Sequence, residues 1–251
     1  MGIASALTRE PDTVSTVVGK DAHMGYRCIA LHLDGFAMRY FFILEVCEMA
    51  NTPSRTRILA ESAIMVALAT VLSMLQIWDS PYGGSVTVLS MSPIIILSLR
   101  RGMKVGLAAG FAHSLIQLLQ GLGNIAYIPT PAGVVICVLT DYILPFTLLG
   151  LGGLFRNVRF TGRQSTDTII AAVLGTLLVT VLRYVSHIVT GAVIWYELDL
   201  VWYADDPGHI VHKYGPWMFS VVYNGIYMLP EIIATTIGTP ILTKALANVK
   251  E

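Results

Sequence analysis

Four residues of one apolar stretch carry side chains that could bind a ligand. Tyr184, His187, Gly191 and Trp195 lie at positions i, i+3, i+7 and i+11 of a long apolar run, so an α-helix would place them on one narrow face. This face rises roughly 16 Å, at about 1.5 Å per residue, and offers a phenol, an imidazole, a gap and an indole. Inside a membrane span, such a stripe indicates a binding site, although an interhelical hydrogen-bond network with Trp195 as an interface anchor would need the same residues.

One carboxylate adds the possibility of charge recognition. Asp141 is the only acid in the middle of the predicted fourth span, and an unpaired carboxylate in hydrocarbon costs several kcal/mol. Its partner could be Arg183 of the fifth span, or a cationic ligand held between Asp141 and an aromatic face such as Trp195, because indole rings attract delocalised cations. Arg183 could instead pair with Glu231, the other buried acid. The sequence leaves these alternatives open.

Other kinds of site have less support. A polar stripe on the third span fits interhelical hydrogen bonds as well as it fits a site, and it consists of His113, Gln117, Gln120 and Asn124. No second His, Cys or acid lies at ligand spacing from His187 on the same helix, so we predict no metal site. Because no nucleophile–base–acid pattern emerges, we also expect no enzymatic activity and no cofactor.

The composition defines the class of protein that must position these residues. Of the 251 residues, 55% are hydrophobic and only 13% are charged, with a mean hydropathy of +0.68, whereas soluble domains carry about 25% charged residues. We therefore predict an all-α integral membrane protein. The net charge is zero and there is no basic block, which argues against a nucleic-acid partner. A phosphate-binding loop of the GxxxxGK[ST] type is absent, so this chain cannot hydrolyse ATP by that route.

Six apolar segments are long enough to be candidate membrane spans, with residues 1 to about 48 lying before them. They cover roughly residues 57–77, 86–100, 104–121, 132–154, 168–195 and 217–246. Arg and Lys residues concentrate in alternate connections, whereas the opposite loops carry acids and, as their only Lys or Arg, Lys213. By the positive-inside rule, both termini are cytoplasmic and the chain is a multi-pass protein of the cell membrane.

This topology gathers the polar and aromatic side chains in the outer half of the bundle. The His113 stripe lies on the outward half of its span, and Asp141 and Tyr142 lie in the outer half of theirs. His187 and Trp195 lie in the outward-running half of the fifth span. The outer end of the sixth span carries aromatic residues and Asn224, and Tyr127 lies in the second outer loop. We therefore expect a ligand pocket that faces outward.

The first 48 residues differ in character from the rest of the chain. They mix charged, polar and aromatic residues without a helical or strand period and lack the order of a signal peptide. We expect residues 1–48 to be a poorly ordered extension or a misassigned start, with the functional membrane domain covering residues 49–251 from an alternative start at Met49.

Small residues on the first span suggest a surface for close helix contact. Ala63 and Ala67 form a small-xxx-small step, which lets helix backbones approach closely in lipid. The surface either packs inside the bundle or docks a partner membrane subunit.

Three segments together resemble a known transporter family. They are SLRRGMKVGLAAGF (98–111), RYVSHIVTGAVIW (183–195) and YNG (223–225), and the similarity covers about residues 55–245. The chain resembles the thiamin-specific substrate-binding components of energy-coupling factor transporters, of the ThiT/YuaJ type. This resemblance implies a six-helix subunit that captures thiamin from outside, with a transmembrane coupling protein and two cytoplasmic ATPases supplied by other chains.

The resemblance also implies roles for individual residues. His187 and Trp195 match ligand-contacting positions, with Trp195 stacking on a thiamin ring, and Tyr142 and Asn224 match a binding tyrosine and a binding asparagine. The candidate set is completed by residues that depart from the family pattern or lie beside it. Asp141 stands where the family usually has glutamate, Phe219 where a tyrosine is expected and His113 near a family tryptophan, while Tyr127 lies in the second outer loop.

Two other interpretations remain open. A substrate-binding component for a related compound, such as a thiamin-precursor pyrimidine, would need Asp141 to pair with Arg183 if the ligand were neutral. A small membrane enzyme or a standalone carrier belongs to a different class, and the sequence has neither an identifiable reacting centre nor the internal repeats typical of secondary carriers.

Overall fold

Helices dominate the computed structural model, which describes residues 54–80 and 84–246. From Ile58 onward the described residues form one compact unit. The expectations for residues 1–48 and for a start at Met49 lie outside the described residues.

Nine helices and two strands can be named along the described chain. They are α1 (Arg55–Met74), β1 (Gln76–Asp79), β2 (Ser85–Thr87), α2 (Ser92–Arg101), α3 (Met103–Gln120), α4 (Leu122–Ile125), α5 (Pro131–Cys137), α6 (Leu144–Thr147), α7 (Gln164–Thr190), α8 (Tyr196–Trp202) and α9 (Pro216–Leu246). Two π-helical turns, Val138–Ile143 and Gly191–Trp195, continue α5 into α6 and α7 into α8, and two 3₁₀ segments follow at Leu148–Gly153 and Ile210–His212.

Within residues 54–80 and 84–246, four continuous helical segments are long and apolar enough to cross a membrane. They are Arg55–Met74, Pro131–Gly153, Gln164–Trp202 and Pro216–Leu246. Helix α2, with 10 residues, extends only about 15 Å at 1.5 Å per residue, about half the thickness of a bilayer core. The mostly helical membrane class predicted from the sequence is therefore supported, with a shorter second helix than expected.

The second predicted span begins too early, because residues 86 and 87 belong to the second strand of a β-hairpin instead of a helix. Strands β1 and β2 pair antiparallel, with Trp78 opposite Val86. The chain then turns at Leu89, whose φ of 53° lies in the left-handed region. Helix α2 begins only at Ser92, with Pro93 in its first turn, where proline's missing N–H is not needed.

The core lies where α2, α3, α7 and the Leu148–Gly153 segment meet. It is built from apolar side chains that include Ile94, Ile95, Leu97, Leu149 and Val179. Glycines let the backbones approach closely at this point, since a Cβ on Gly150 would collide with the backbone of Gly106 and Leu107. This close packing fixes the helices that carry the polar residues described below.

An ion pair joins α1 to the end of α2. Glu61 Oε2 accepts a hydrogen bond from Arg101 Nε at 2.6 Å, and Arg100 Nε lies 3.3 Å from Glu61 Oε1.

Large apolar side chains elsewhere face outward, as a lipid-facing surface requires. They include Leu59, Ile64 and Val71 on α1, Val185 on α7, and Ile233, Ile237 and Ile241 on α9.

Candidate functional site

A cavity of about 320 Å³ lies between the hairpin and the helices. Its wall is formed by polar and aromatic side chains from elements that are distant in sequence. These are Ser73, Gln76, Ser85, Thr87, Ser90, Gln117, Gln120, Asn124, Asp141, Tyr142, Phe146, Arg183, His187, Trp195, Tyr223, Asn224 and Tyr227, with Gly84 and Gly121. A pocket of this size suits a small organic ligand.

Both π-helical turns contribute side chains to this cavity. Asp141 and Tyr142 lie in Val138–Ile143, and Trp195 ends Gly191–Trp195. A π-turn holds an extra residue and rotates the following side chains relative to an α-helix, and such turns are frequent at functional sites. The local backbone therefore aims these three side chains differently from a regular helix.

The predicted one-face stripe is divided by this geometry. His187 and Trp195 line the cavity, whereas the Tyr184 hydroxyl donates to the backbone carbonyl of Val221 at 2.7 Å. Gly191 permits a close helix approach, since a Cβ there would come within 2.8 Å of Asn224 Nδ2 and even closer to Ser220 Oγ. Tyr184 leaves the stripe although it lies with His187 in the regular helix before Gly191, because its hydroxyl reaches the helix Pro216–Leu246 at Val221.

Asp141 is the centre of the hydrogen-bond network. Its Oδ1 lies 2.8 Å from His187 Nδ1, and its Oδ2 accepts from the indole N–H of Trp195 at 2.9 Å. The thiol of Cys137 lies 3.7 Å from the same Oδ2. Both carboxylate oxygens are thus oriented by donors, and the acid lines the cavity with its side chain 13% exposed.

Arg183 extends the network from the other side of the imidazole. Its Nε donates to His187 Nε2 at 3.3 Å, which makes Nε2 the acceptor and leaves Nδ1 to donate to Asp141. The guanidinium lies 4.6 Å from the ring centre of Phe146, and its buried Nη1 has no hydrogen-bond partner among the described residues. Neither ion pair considered from the sequence, Arg183 with Asp141 or with Glu231, forms within the described part of the chain.

Helix α9 supplies the opposite wall. Asn224 donates to the carbonyl oxygens of Ser220, at 2.9 Å, and His187, at 3.2 Å. Its own Oδ1 accepts from the Tyr227 hydroxyl at 2.7 Å. The amide is thereby held against the helix turn that carries His187. On the far side of the cavity, the hydroxyl of Tyr142 donates to the carbonyl of Gly121 at 3.3 Å.

Five of the eight candidate ligand residues line the cavity and three do not. Asp141, Tyr142, His187, Trp195 and Asn224 are brought together in its wall. The other three are Phe219, His113 and Tyr127, which occupy different environments.

The three residues outside the cavity have partners of their own. Phe219 is fully buried between Tyr196 and Tyr223, with ring centres 5.5 and 5.4 Å away. His113 is buried behind Gln117 and lies edge-on to Phe146 at 5.4 Å. Tyr127 is 64% exposed and packs edge-on against Trp202. The structure places these three side chains outside the wall of this cavity, and their roles in ligand binding stay predictions.

The hairpin is the part of the wall that the sequence analysis leaves unassigned. Gln76, Ser85 and Thr87 line the cavity, in a segment where the apolar pattern predicts the end of the first span (57–77), an outer loop and the start of the second span (86–100). A Gly-Gly step at positions 83 and 84 between runs rich in β-branched and aromatic residues is a hairpin signal. That pattern could have revealed this element.

The proposed docking residues lie on the surface of α1. Both Ala63 and Ala67 are exposed, as are their neighbours Ile64 and Leu68.

In the described ranges 54–80 and 84–246, no group of three or more His, Cys, Asp or Glu side chains is arranged to hold a metal ion.

Comparison with known proteins gives consistent matches over this helical unit. A family model described as thiamine transporter protein (Thia_YuaJ) matches residues 59–251. The chain is 32% identical over 185 residues to the thiamine transporter ThiT of Bacillus subtilis, covering 71% of this chain and 86% of that protein. It is 26% identical over 193 residues to the ThiT of Lacticaseibacillus paracasei, covering 74% and 86%.

A solved structure supports the same relationship. The chain superimposes on ThiT from Listeria monocytogenes with a TM-score of 0.60 and 28% sequence identity, covering 78% of this chain and 97% of that one.

Proposed function

Because the chain belongs to the Thia_YuaJ family of thiamine transporter proteins, we propose that it captures thiamin as the membrane-embedded substrate-binding component of an uptake transporter. It is a multi-pass protein of the cell membrane and a transporter component, not an enzyme. The observation that carries the proposal is Asp141, an oriented carboxylate in the wall of a cavity that also exposes His187 and Trp195.

The charge of the ligand explains why the cavity contains this acid. Thiamin carries a permanent positive charge on its thiazolium ring, and Asp141 would supply the counter-charge. Trp195 would add a flat indole face for stacking and cation–π attraction. Tyr142 and Asn224 would contribute polar contacts from the two sides of the cavity, with His187 between them.

The proposed orientation places the cavity in the outer half of a six-helix bundle with both termini in the cytoplasm. Support comes from Arg156, Arg159 and Arg163, which follow the Pro131–Gly153 span and are exposed. The connection at the opposite end of the next span carries Asp205 and Asp206 instead. Three arginines on the first connection, against two acids and the single Lys213 on the second, fit the positive-inside rule.

Transport requires energy that this chain does not supply. A transmembrane coupling protein and two cytoplasmic ATPase subunits of the energy-coupling factor type would provide it. The exposed small-residue face of α1 at Ala63 and Ala67 suits close contact with such a membrane partner, because small side chains let helix backbones approach in lipid.

Thiamin binding to the purified protein is the direct test. Titration with thiamin should quench tryptophan fluorescence through Trp195, and Trp195→Ala should weaken binding by roughly 1–3 kcal/mol, the range for a lost stacking and cation–π contact. Trp195→Phe, which keeps an aromatic face but loses the N–H donated to Asp141, should have an intermediate effect.

A matched control is available on the same helical segment. Trp202 is 49% exposed and lies outside the cavity wall, so Trp202→Phe should leave the dissociation constant unchanged. Absence of thiamin binding by the folded wild-type protein would refute the proposal, and an unchanged constant in folded Trp195→Ala would remove Trp195 from the site.

A further inference from the structure

Glu231 is a buried acid that accepts hydrogen bonds from Thr87 of the β1–β2 hairpin. It lies on α9 with 3% of its surface exposed. Its Oε2 accepts from the backbone N–H of Thr87 at 2.8 Å, and its Oε1 accepts from the Thr87 hydroxyl at 2.6 Å. Among residues 54–80 and 84–246, no Lys, Arg or His forms an ion pair with it.

This arrangement makes the acid and the hairpin depend on each other. A buried carboxylate that has no cation in ion-pair contact must have its oxygens hydrogen-bonded, because much of the cost of desolvating the charge is otherwise uncompensated. Both oxygens of Glu231 accept their hydrogen bonds from Thr87. Hydrogen bonds to an ionised acceptor are stronger than those between neutral groups. Thr87, the last residue of β2, is therefore fixed to α9.

A second contact involves Tyr227, one turn before Glu231 on α9, and it fixes the other end of β2. Gly84, which precedes the strand, lies against the ring of Tyr227, close enough that a Cβ on Gly84 would be 2.8 Å from Tyr227 Cγ. Tyr227 and Glu231 are four residues apart and so share one face of α9. That face holds both ends of a strand whose residues line the cavity.

Glu231 itself does not line the cavity, whereas Gly84, Ser85 and Thr87 do. We infer that Glu231 is a positioning residue that fastens the β1–β2 hairpin to α9 and so holds one wall of the ligand cavity in place. In the context of the proposed thiamin site, it slows ligand dissociation without touching the ligand.

The test combines a measurement on the free protein with one on the ligand complex. In ligand-free protein, Glu231→Gln should accelerate hydrogen–deuterium exchange of a peptide covering residues 76–87. With thiamin bound, the same change should raise the dissociation rate about 10-fold or more, the scale of a lost buried hydrogen bond to a charged group, with little change in the association rate.

Changes at Thr87 separate fastening from a general loss of structure. Thr87→Val removes the hydroxyl but keeps the backbone N–H, so it should also accelerate hairpin exchange, and Thr87→Ser should lie closer to the wild type. In a protein that already carries Glu231→Gln, Thr87→Val should accelerate hairpin exchange by less than it does alone, because both changes break the contact between Glu231 and Thr87. Glu61→Gln, at an acid that pairs with Arg101 instead, should leave hairpin exchange unchanged.

Two results would overturn this inference. One is unchanged exchange of residues 76–87 in folded Glu231→Gln and Thr87→Val proteins. The other is faster exchange with an unaltered thiamin dissociation rate. If the wild-type protein bound no thiamin at all, the proposed function would fail, and the exchange measurement in the free protein would still decide whether Glu231 holds the hairpin.

Discussion

Asp141 is a mostly buried carboxylate that contacts no permanent positive charge among residues 54–80 and 84–246. The donors on its two oxygens are the imidazole of His187 and the indole of Trp195, and neither forms a permanent-charge ion pair with it. Arg183 contacts the imidazole instead of the acid. Under the proposed function, a cationic ligand in the cavity would supply that positive charge.

Replacing Asp141 by Asn should distinguish charge recognition from shape recognition. Asp141→Asn should weaken thiamin binding by about 2 kcal/mol more than it weakens binding of a neutral analogue of the same shape, because only thiamin loses a charge partner. Calorimetric titration of both ligands against both proteins measures the difference.

The control for this experiment is another buried acid. Asp199 is 7% exposed and lies outside the cavity wall, so Asp199→Asn should not alter the preference for the cation. Equal losses for both ligands in Asp141→Asn would show that the acid is structural, and would favour a neutral ligand such as a thiamin-precursor pyrimidine.

At this scale the sequence identified the acid but not its partners. Asp141 stands out as a lone carboxylate in an apolar run, and His187 and Trp195 stand out as a polar pair on another span, but the sequence alone does not join the two. Their contacts with Asp141 depend on two π-helical turns, which composition and periodicity do not encode. Phe219 and His113 illustrate the opposite limit, because an aromatic or polar residue on a span serves packing as readily as binding.

The hairpin is the element that most changes the description of the cavity. It converts the predicted connection before α2 into a wall with a defined backbone, and its position depends on a close contact at Gly84. Long apolar helices can be predicted because their pattern repeats over many residues. A short hairpin has only a few residues of pattern, and its tertiary contacts with Tyr227 and Glu231 are invisible in the sequence.

Substitution of Gly84 should reveal how much of the site depends on this contact. Gly84→Ala places a methyl group against Tyr227 at a φ of 78°, so it should lower thermal stability and weaken thiamin binding. Gly162 has a similar φ of 75°, but a methyl group there would meet no other atom within 4 Å. Gly162→Ala should therefore lose only about 1 kcal/mol of stability through backbone strain and keep its ligand affinity.

Thermal unfolding in detergent and thiamin titration compare the two variants. If both lost stability equally and both bound thiamin normally, the contact between Gly84 and Tyr227 would have no role in the cavity.

Helix α1 provides a separate element-scale prediction. Replacing Ala63 and Ala67 with Leu or Trp should block close approach of a partner helix, so co-purification with the coupling subunits and thiamin uptake by cells should be lost. Thiamin binding by the isolated protein should survive, because both alanines are exposed and lie outside the cavity wall.

A similarly exposed apolar position on another helix controls for added bulk. Val185 on α7 is 50% exposed, and Val185→Trp should leave co-purification intact. Loss of thiamin binding in the folded alanine variants would mean that this face supports the bundle, and the docking proposal would have to be abandoned.

For the whole molecule, the distribution of charge predicts the orientation in the membrane. Single cysteines at Gly208 and Gly162, in a protein whose native cysteines have been replaced, should report on the two sides. Gly208→Cys should react with a membrane-impermeant thiol reagent on intact cells, whereas Gly162→Cys should react only after permeabilisation. The reverse pattern would contradict cytoplasmic termini and an outward-facing cavity.

The π-helical turn at Gly191–Trp195 also has a genetic consequence. A π-turn accommodates one residue more than an α-turn, so an in-frame deletion of a single codon within it would let the helix continue as regular α. The shortened turn would still complete about 360°, so the side chains beyond the deletion, the indole included, would keep their facing relative to the preceding 27-residue helix. Loss of one codon inside that regular helix would instead rotate every later side chain by about 100° and carry the indole away from Asp141, so this turn is the place in the helix where a one-codon deletion should do least to the cavity.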